Sequence, residues 1–239
     1  MYYLTKKILT ITIFILFSFS TLAFEIKKNE ADSLLAIKMH REGIKAYQLG
    51  DFELALDKFQ KVYELREKTY GPNSIKLAPP LINMGIQFKN LGNIDKAIES
   101  YKKVEYLYSK ISGSENNNML GTVYINLSVI YGESGDYNQA LEYQKNAFRI
   151  LATDSINSYR NFQDSKYNIA EIQLKLGYNR EVINFAMKSL KTSTPELKSR
   201  LYDLLALAYK NEGYFDLSEE SFTNAINSCI KSNGKNNFE

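Results

Sequence analysis

The chain has 239 residues, with 30 lysines and arginines against 27 acidic residues and a formal net charge of +3. This near balance excludes the strongly basic surface by which proteins bind nucleic acids or anionic membranes. A single histidine and a single cysteine exclude an internal disulfide and the histidine or thiolate clusters that hold zinc. We therefore expect no cofactor, and apolar packing alone must stabilise the fold.

Residues 1–23 have the layout of a secretory signal peptide. Two lysines precede an apolar run over residues 8–19, and small residues lead up to a cleavage site after Ala23. Cleavage there would export the chain to a periplasm or secrete it, and the absence of disulfides favours a bacterial periplasm. The alternative is an uncleaved membrane anchor over residues 8–24, because its 17 residues reach the lower limit for a membrane span.

Five glycines divide the rest of the chain at spacings of 42, 43, 42 and 36 residues. Each lies between two stretches of helical apolar periodicity: Gly50, Gly92, Gly135, Gly177 and Gly213. A period of this length is typical of stacked helical hairpins. The pattern predicts an all-α array over 24–231, with helix–turn–helix repeats at approximately 31–70, 75–112, 117–153, 158–192 and 195–231 and a polar tail at 232–239.

The residues after these glycines predict how each turn is built. Glycine tolerates the left-handed backbone that ends a helix, and a following Asp or Asn can accept a hydrogen bond from the next helix. Asp51, Asn93 and Asp136 occupy this capping position in the first three hairpins. Tyr178 and Tyr214 replace it in the last two, so we expect those turns to be less firmly specified.

Small residues recur at facing positions of the two helices in each hairpin. The first helices carry Gly43, Gly85, Ser128, Ala170 and Ala206, and the second helices carry Ala55, Ala97, Ala140, Val182 and Ser218. Small side chains let antiparallel helices approach closely. One turn later, bulky residues are predicted to fill the gap to the next hairpin: Phe59, Tyr101 and Phe222.

These residues resemble the tetratricopeptide-repeat (TPR) family, in which a small residue is followed by a Gly-Asp-Tyr turn and an Ala-x-x-x-aromatic step. The runs 128–140 and 50–59 show this pattern most closely. The family's usual repeat is about 34 residues. The longer spacing here is similar to that of kinesin light chains. The resemblance implies a right-handed superhelix that holds a protein or peptide on its concave face.

Some residues depart from this pattern. Glu42 and Lys166 replace apolar residues of the first and fourth hairpins, and Gln144 stands where an aromatic is expected behind the fourth. Because Ala186 is also small, we expect the fourth hairpin to be the least regular. A proline pair at 79–80 cannot lie inside a regular helix, which places the start of the second hairpin there.

The last helix is predicted to close the array. Its apolar residues Phe222, Ala225, Ile226 and Cys229 would pack inward, and its opposite polar face would form the end cap that repeat arrays need for solubility. Cys229 is expected to be a small core residue rather than a reactive thiol. The array would then be complete at its C-terminus and monomeric, with end-to-end self-association as the alternative.

The sequence contains no phosphate-binding loop, dinucleotide fingerprint or Gly-x-Ser-x-Gly nucleophile turn. His40, the only histidine, has no serine or cysteine at a motif spacing. We therefore expect a non-catalytic scaffold for a protein or peptide partner. The alternative is an extracytoplasmic sensory or regulatory module that acts on a signalling partner in trans.

By analogy with the family, the first helices would line the binding groove. The candidate residues are His40, Tyr47, Asn83, Ile86, Lys89, Asn126, Val129, Tyr167, Asn168, Glu171, Lys175, Asp203 and Lys210. Asn83, Asn126 and Asn168 occupy equivalent places, and their amides either bind the backbone of an extended peptide or hold neighbouring repeats in register. The family's carboxylate clamp for chaperone tails is not expected, because Ile44 is apolar where an amide is required.

Overall fold

The computed structural model describes residues 30–110, 117–152 and 159–235. The predicted signal peptide and the end of the polar tail lie outside these residues. All regular secondary structure in the described chain is helical, which confirms the all-α class. None of the described helices is both long enough and apolar enough to span a membrane.

The described chain contains ten α-helices and one short 3-10 helix. They are α1 (30–48), α2 (Phe52–Tyr70), the 3-10 helix (Ile75–Leu77), α3 (Ala78–Asn90), α4 (Ile94–Ser109), α5 (Asn117–Glu133), α6 (Tyr137–Leu151), α7 (Tyr159–Lys175), α8 (Asn179–Leu190), α9 (Pro195–Asn211) and α10 (Phe215–Lys235). The proline pair lies in the first turn of α3, as predicted.

The helices pack chiefly on their neighbours in the sequence. For example, α3 contacts α2 and α4, and α9 contacts α8 and α10. This pattern is that of an array in which each hairpin touches only the hairpins beside it. The chain divides into two compact units, with α1–α4 in the first and α5–α10 in the second.

The five turn glycines share one backbone geometry. Their φ angles lie between 76° and 84°, in the left-handed region that residues with a Cβ rarely adopt. The amide after each glycine donates to the carbonyl five residues earlier, as from Asp51 N to Ala46 O at 3.0 Å. The glycine amide donates to the carbonyl three residues earlier. This pair of bonds is the Schellman motif, which satisfies carbonyls that a helix end leaves unpaired.

Side-chain capping follows the prediction at two turns and fails at one. Asp51 Oδ1 accepts a hydrogen bond from Leu54 N at 3.0 Å, and Asp136 Oδ1 accepts one from Gln139 N at 3.1 Å. Asn93 occupies the N-cap of α4, but within the described structure its side chain makes no capping bond, so the prediction is wrong there.

The fourth turn, which has no side-chain cap, is tied to the fifth turn instead. Asn179 Nδ2 donates to Glu212 Oε1 at 3.0 Å, and Asn211 Nδ2 donates to Asn179 Oδ1 at 3.1 Å. Asn179 is buried. These bonds between neighbouring hairpins hold the turn more firmly than its local sequence indicates.

The two predicted helix glycines lie at close contacts with aromatic rings. A Cβ added to Gly43 would lie 2.9 Å from a ring carbon of Phe59, and one added to Gly85 would lie 2.6 Å from a ring carbon of Tyr101. Both aromatic side chains are buried. Each ring therefore fills the space over the glycine of its own hairpin, and Phe59 also packs with Met84 of the next hairpin.

Serine takes the small position in two other hairpins and adds a hydrogen bond. Ser128 Oγ on α5 donates to Ala140 O on α6, and Ser218 Oγ on α10 donates to Ala206 O on α9, both at 2.8 Å. Both hydroxyls are buried. A hydrogen bond thus joins the facing small positions of each hairpin. The serine lies on the first helix in the third hairpin and on the second helix in the fifth.

The last helix differs from its prediction. α10 buries the small residues Ser218, Ser221 and Ala225 and exposes Phe222, Ile226 and Cys229. The predictions that Phe222 and Ile226 pack inward and that Cys229 lies in the core are therefore wrong, whereas Ala225 is buried and the opposite polar face is exposed, as predicted. Close approach to α9 requires small side chains, and this requirement turns the bulky apolar side chains outward.

Replacing Gly85 with alanine should lower the urea midpoint of unfolding. The added Cβ would clash with the buried Tyr101 ring, and overpacking of this kind costs about 1–3 kcal/mol. The matched control is Gly132→Ala, whose Cβ would meet only Ala140 Cβ at 3.9 Å. The free energy of unfolding of that variant should rise by up to about 1 kcal/mol, because alanine has a higher helix propensity than glycine. A gain in stability for both variants would contradict the close contact at Gly85.

Replacing Asp136 with alanine should lower the free energy of unfolding by about 1 kcal/mol, because it removes the cap of α6. Asn93→Ala is the matched control at the equivalent position of α4, where no cap bond is lost. We expect that control to change the free energy by less than about 0.5 kcal/mol. Urea titration followed by circular dichroism measures both, and equal losses would show that Asn93 also caps its helix.

Candidate peptide-binding site

In the first unit, the candidate residues of α1 have different surroundings. The His40 ring centroid lies 5.7 Å from that of Phe59, and burial, followed by the charge of Arg66, lowers the pKa of the imidazole. His40 is therefore neutral at pH 7, and its buried Nδ1 has no hydrogen-bond partner among the described residues. Tyr47 is exposed beside Phe52. Tyr47 is accessible to a partner, whereas His40 faces the hairpin interior.

In the second unit, α5, α6 and α7 surround an open cavity of about 380 Å³. Ten residues line it: Ser128, Val129, Gly132, Glu133, Tyr137, Gln144, Asn168, Glu171, Ile172 and Lys175. Four of them are candidates from the sequence, namely Val129, Asn168, Glu171 and Lys175. The volume lies within the range of roughly 300–1,000 Å³ that is typical of ligand sites.

Gln144 on α6 is the most unusual residue of this cavity. Its side chain is only 1% exposed, and its Nε2 makes no hydrogen bond within the described chain. A buried amide left without a partner costs about 1–3 kcal/mol, which is why few occur. Aromatic or small residues occupy the equivalent positions of the other hairpins. Gln144 therefore lines the cavity and holds a buried hydrogen-bond donor that is unused in the described structure.

Polar side chains of α7 surround the cavity opening. Glu171 and Lys175 are exposed one helical turn apart, and Asn168 presents a half-buried amide beside them. Desolvation raises the pKa of the Glu171 carboxyl, and the charge of Arg200 opposes this shift. With Glu133, the site thus offers two acids, one base and two amides. This set suits peptide groups better than a strongly charged ligand.

A second group of candidates surrounds Tyr167 on α7. The Arg200 guanidinium lies 3.8 Å from the centre of the Tyr167 ring and forms an ion pair with Asp164 at 3.1 Å. Tyr167 is buried, and this desolvation, followed by the charge of Glu171, raises the pKa of its hydroxyl to about 12. Tyr167 therefore stays protonated and packs between α7 and α9. Asp203 and Lys210 on α9 are exposed.

The equivalent asparagines Asn83, Asn126 and Asn168 are half-buried on α3, α5 and α7, as are Ile86 and Lys89 on α3. Throughout the described ranges, none of the three asparagine side chains hydrogen-bonds to another residue. Only Asn168 lines the cavity of the second unit. The binding of a peptide by these amides stays a prediction.

Sequence reasoning did not identify Tyr137, Gln144 or Arg200 as site residues. Tyr137 and Gln144 lie on α6, a second helix, whereas the family analogy pointed to first helices alone. One signal was present in the sequence. Gln144 stands at a position that otherwise holds an aromatic or a small residue. A glutamine there indicates a buried polar group, which normally requires a hydrogen-bond partner.

The sequence matches tetratricopeptide-repeat profiles over residues 34–110 and 81–153 and again over residues 199–229. Neither match includes 154–198, which contain the hairpin predicted to be the least regular. The chain is 26% identical to Protein KINESIN LIGHT CHAIN-RELATED 3 of Arabidopsis thaliana over 159 residues, or 64% of this chain. That alignment spans 24% of the plant protein's length.

Two solved structures show the same fold. The nearly identical TPR-like repeats of a Podosopora anserina protein, assigned to the kinesin light chains, give a TM-score of 0.69 at 17% identity and cover 82% of this chain and 95% of theirs. The structure of MamA from Desulfovibrio magneticus RS-1, from residue 41 to its end, gives a TM-score of 0.62 at 15% identity. The match covers 82% of this chain and 96% of the MamA chain. These similarities confirm the predicted solenoid fold, a scaffold for interaction between proteins. The chain belongs to the tetratricopeptide-repeat family.

Proposed function

We propose that this chain is a non-catalytic scaffold that binds an extended peptide segment of a partner protein in the cavity between α5, α6 and α7. The observation that carries the proposal is Gln144, which lines this open cavity and whose buried Nε2 has no partner in the described structure. Because this nitrogen is closed to solvent in the free chain, the Gln144 side chain would turn toward the cavity on binding, where a backbone carbonyl of the peptide would accept a hydrogen bond from it. Binding would then remove the cost of leaving this donor unpaired.

The rest of the cavity fits the same ligand. Asn168 can donate and accept, which matches the alternating amides and carbonyls of an extended backbone. Val129, Ile172 and the Tyr137 ring offer apolar contact to an aliphatic side chain of the peptide. An extended protein segment combines regular backbone groups with side chains of both kinds, as this site requires.

The lining residues do not favour a catalytic reaction. The hydroxyl of Ser128 already donates to Ala140 O at 2.8 Å, so it is not poised as a nucleophile. Among the described residues, no group of three or more histidine, cysteine or carboxylate side chains is placed to hold a metal ion. Binding is therefore the function that the site supports best.

Replacing Gln144 with methionine tests the proposal, because methionine has a similar shape and no amide. We expect Gln144→Met to raise the unfolding midpoint of the free chain, since a buried donor without a partner is removed. The same variant should bind peptide about tenfold more weakly, a loss of about 1.4 kcal/mol. Peptides selected on the original chain from a random-sequence library serve as probes, with affinity measured by fluorescence anisotropy.

Gln87→Met is the matched control. Gln87 is another buried glutamine, but it lies on α3 in the first unit, and its Nε2 donates to Asn83 O at 3.2 Å. We expect that variant to leave peptide affinity unchanged. Equal affinities for the original chain and Gln144→Met would overturn the proposed role of Gln144, even if the stability of the variant rises.

We also propose that the scaffold acts after export, with residues 1–23 removed as a signal peptide. The support is the lysine pair, the apolar run and the small residues before the cut. The intact mass of the protein recovered from producing cells should correspond to a chain that begins at Phe24. A full-length chain found only in the membrane fraction would instead support the anchor over residues 8–24.

A further inference from the structure

Another cavity of the second unit lies where α8 passes into α9 through the linker 191–194. Its volume is about 610 Å³, within the range of roughly 300–1,000 Å³ that is typical of ligand sites. Lys166 of α7, Lys188 of α8 and Lys191 of the linker line it, and none of its described lining residues is an aspartate or a glutamate. The wall therefore concentrates positive charge, although the charges of the whole chain nearly balance.

The two lysines at the end of α8 are not neutralised within the protein. Among the described residues, the ammonium groups of Lys188 and Lys191 form no ion pair or hydrogen bond. The nearby acids are engaged elsewhere or lie outside the cavity: Asp164 pairs with Arg200 at 3.1 Å, and Glu196 is exposed on α9. Like charges that share one wall repel each other, so a bound anion would relieve this repulsion.

Uncharged donors lie beside these lysines. The hydroxyls of Ser189 and Thr192 line the cavity and form no hydrogen bond to another described side chain or backbone group. The linker that carries them is fixed by local bonds, since Ser193 Oγ donates to Ser189 O at 2.6 Å and Thr194 caps α9. Ammonium and hydroxyl donors thus line a wall that is already formed in the free chain.

This set of donors suits a phosphate monoester better than a carboxylate. A phosphate monoester carries about −1.5 to −2 charges at pH 7 and three strong acceptor oxygens, whereas a carboxylate carries a single charge and two oxygens. Lysine binds phosphate as a point charge and needs no planar fork. Phe185 and Leu197 also line the cavity and offer apolar contact to the organic part of such an ester.

We propose that the cavity between α7, α8 and α9 binds a phosphate monoester. The three lysines hold the phosphoryl oxygens, and the organic part packs against Phe185 and Leu197. This site is separate from the proposed peptide site, because Lys166 and Asn168 point about 160° apart around the axis of α7. The proposal therefore stands or falls independently of the peptide site.

Calorimetric titration of the full chain with phenyl phosphate at low salt tests the proposal. The matched ligand is methyl phenyl phosphate, which keeps the ring but has one charge and fewer terminal oxygens. We expect phenyl phosphate to bind at least about tenfold more tightly, because it forms more charge-assisted hydrogen bonds. Equal affinities, or no measurable binding of phenyl phosphate, would overturn the proposal.

Charge-removing variants locate the binding on the protein. Lys188→Gln and Lys191→Gln should each weaken phenyl phosphate binding about threefold, and the double variant about tenfold. Both side chains are exposed, so circular dichroism should show an unchanged fold. Lys45→Gln is the matched control, because it removes the same charge from an exposed position in the first unit. Equal weakening by Lys45→Gln would show a general attraction to positive charge and would overturn the site.

An ¹H–¹⁵N spectrum of the full chain gives a second localisation and identifies the source of the ester. Phenyl phosphate should shift the backbone amides of Ser189, Thr192 and Leu197, and shifts confined to other regions would overturn the proposal. A phosphotyrosine peptide presents the same phenyl phosphate group on a protein segment. Tighter binding of that peptide than of phenyl phosphate supports a phosphorylated protein as the source, and weaker binding supports a free small ester.

Discussion

In each hairpin, the two helices meet at residues with small side chains, and this close approach decides where every other side chain faces. At Gly85, the ring of Tyr101 lies so near that even a Cβ would collide with it. At Ser128 and Ser218, a buried hydroxyl bonds the backbone of the facing helix. Because the crossing point is fixed, the remaining side chains fall on the hairpin interior, the interface with the next hairpin, or an open face.

The same geometry makes equivalent residues comparable along the chain. The position one turn after the small residue of each second helix is buried in four hairpins and apolar in three of those. Gln144 is the one polar residue among the four buried ones, and its Nε2 has no partner in the described structure. Phe222, the residue at this position in the fifth hairpin, is exposed. Both departures lie in the second unit, and the proposed peptide site rests on the first of them.

The sequence was sufficient for the features that have strict local requirements. A left-handed turn requires glycine, and Gly50 and its four equivalents occupy such turns. The side-chain cap at Asn93 was less predictable than these turns. A single side-chain hydrogen bond competes with other side-chain conformations of similar energy. The burial of Phe222 and Ile226 in α10 was predicted wrongly, because apolar character alone does not decide which face of a helix packs. Its small Ser218 and Ala225 were the better guide to the buried face.

The candidate site was only partly predictable. Four of the ten lining residues follow from the family analogy, which points to first helices. The cavity forms because α6 completes its wall between α5 and α7. The position of α6 depends on how two neighbouring hairpins pack, and the apolar pattern of a single helix does not specify that packing. Gln144 carried a signal in the sequence as a polar residue at an apolar position, yet its unpaired amide is visible only in three dimensions.

The most direct test of the account is the side-chain amide resonance of Gln144 in an ¹H–¹⁵N spectrum of the chain, assigned from its loss in Gln144→Met. On saturation with a selected peptide, the Nε2 protons should move downfield as they donate to the peptide, while those of Gln87 stay in place. Peptide binding that leaves the Gln144 amide unshifted would contradict the central claim that this buried donor binds the peptide.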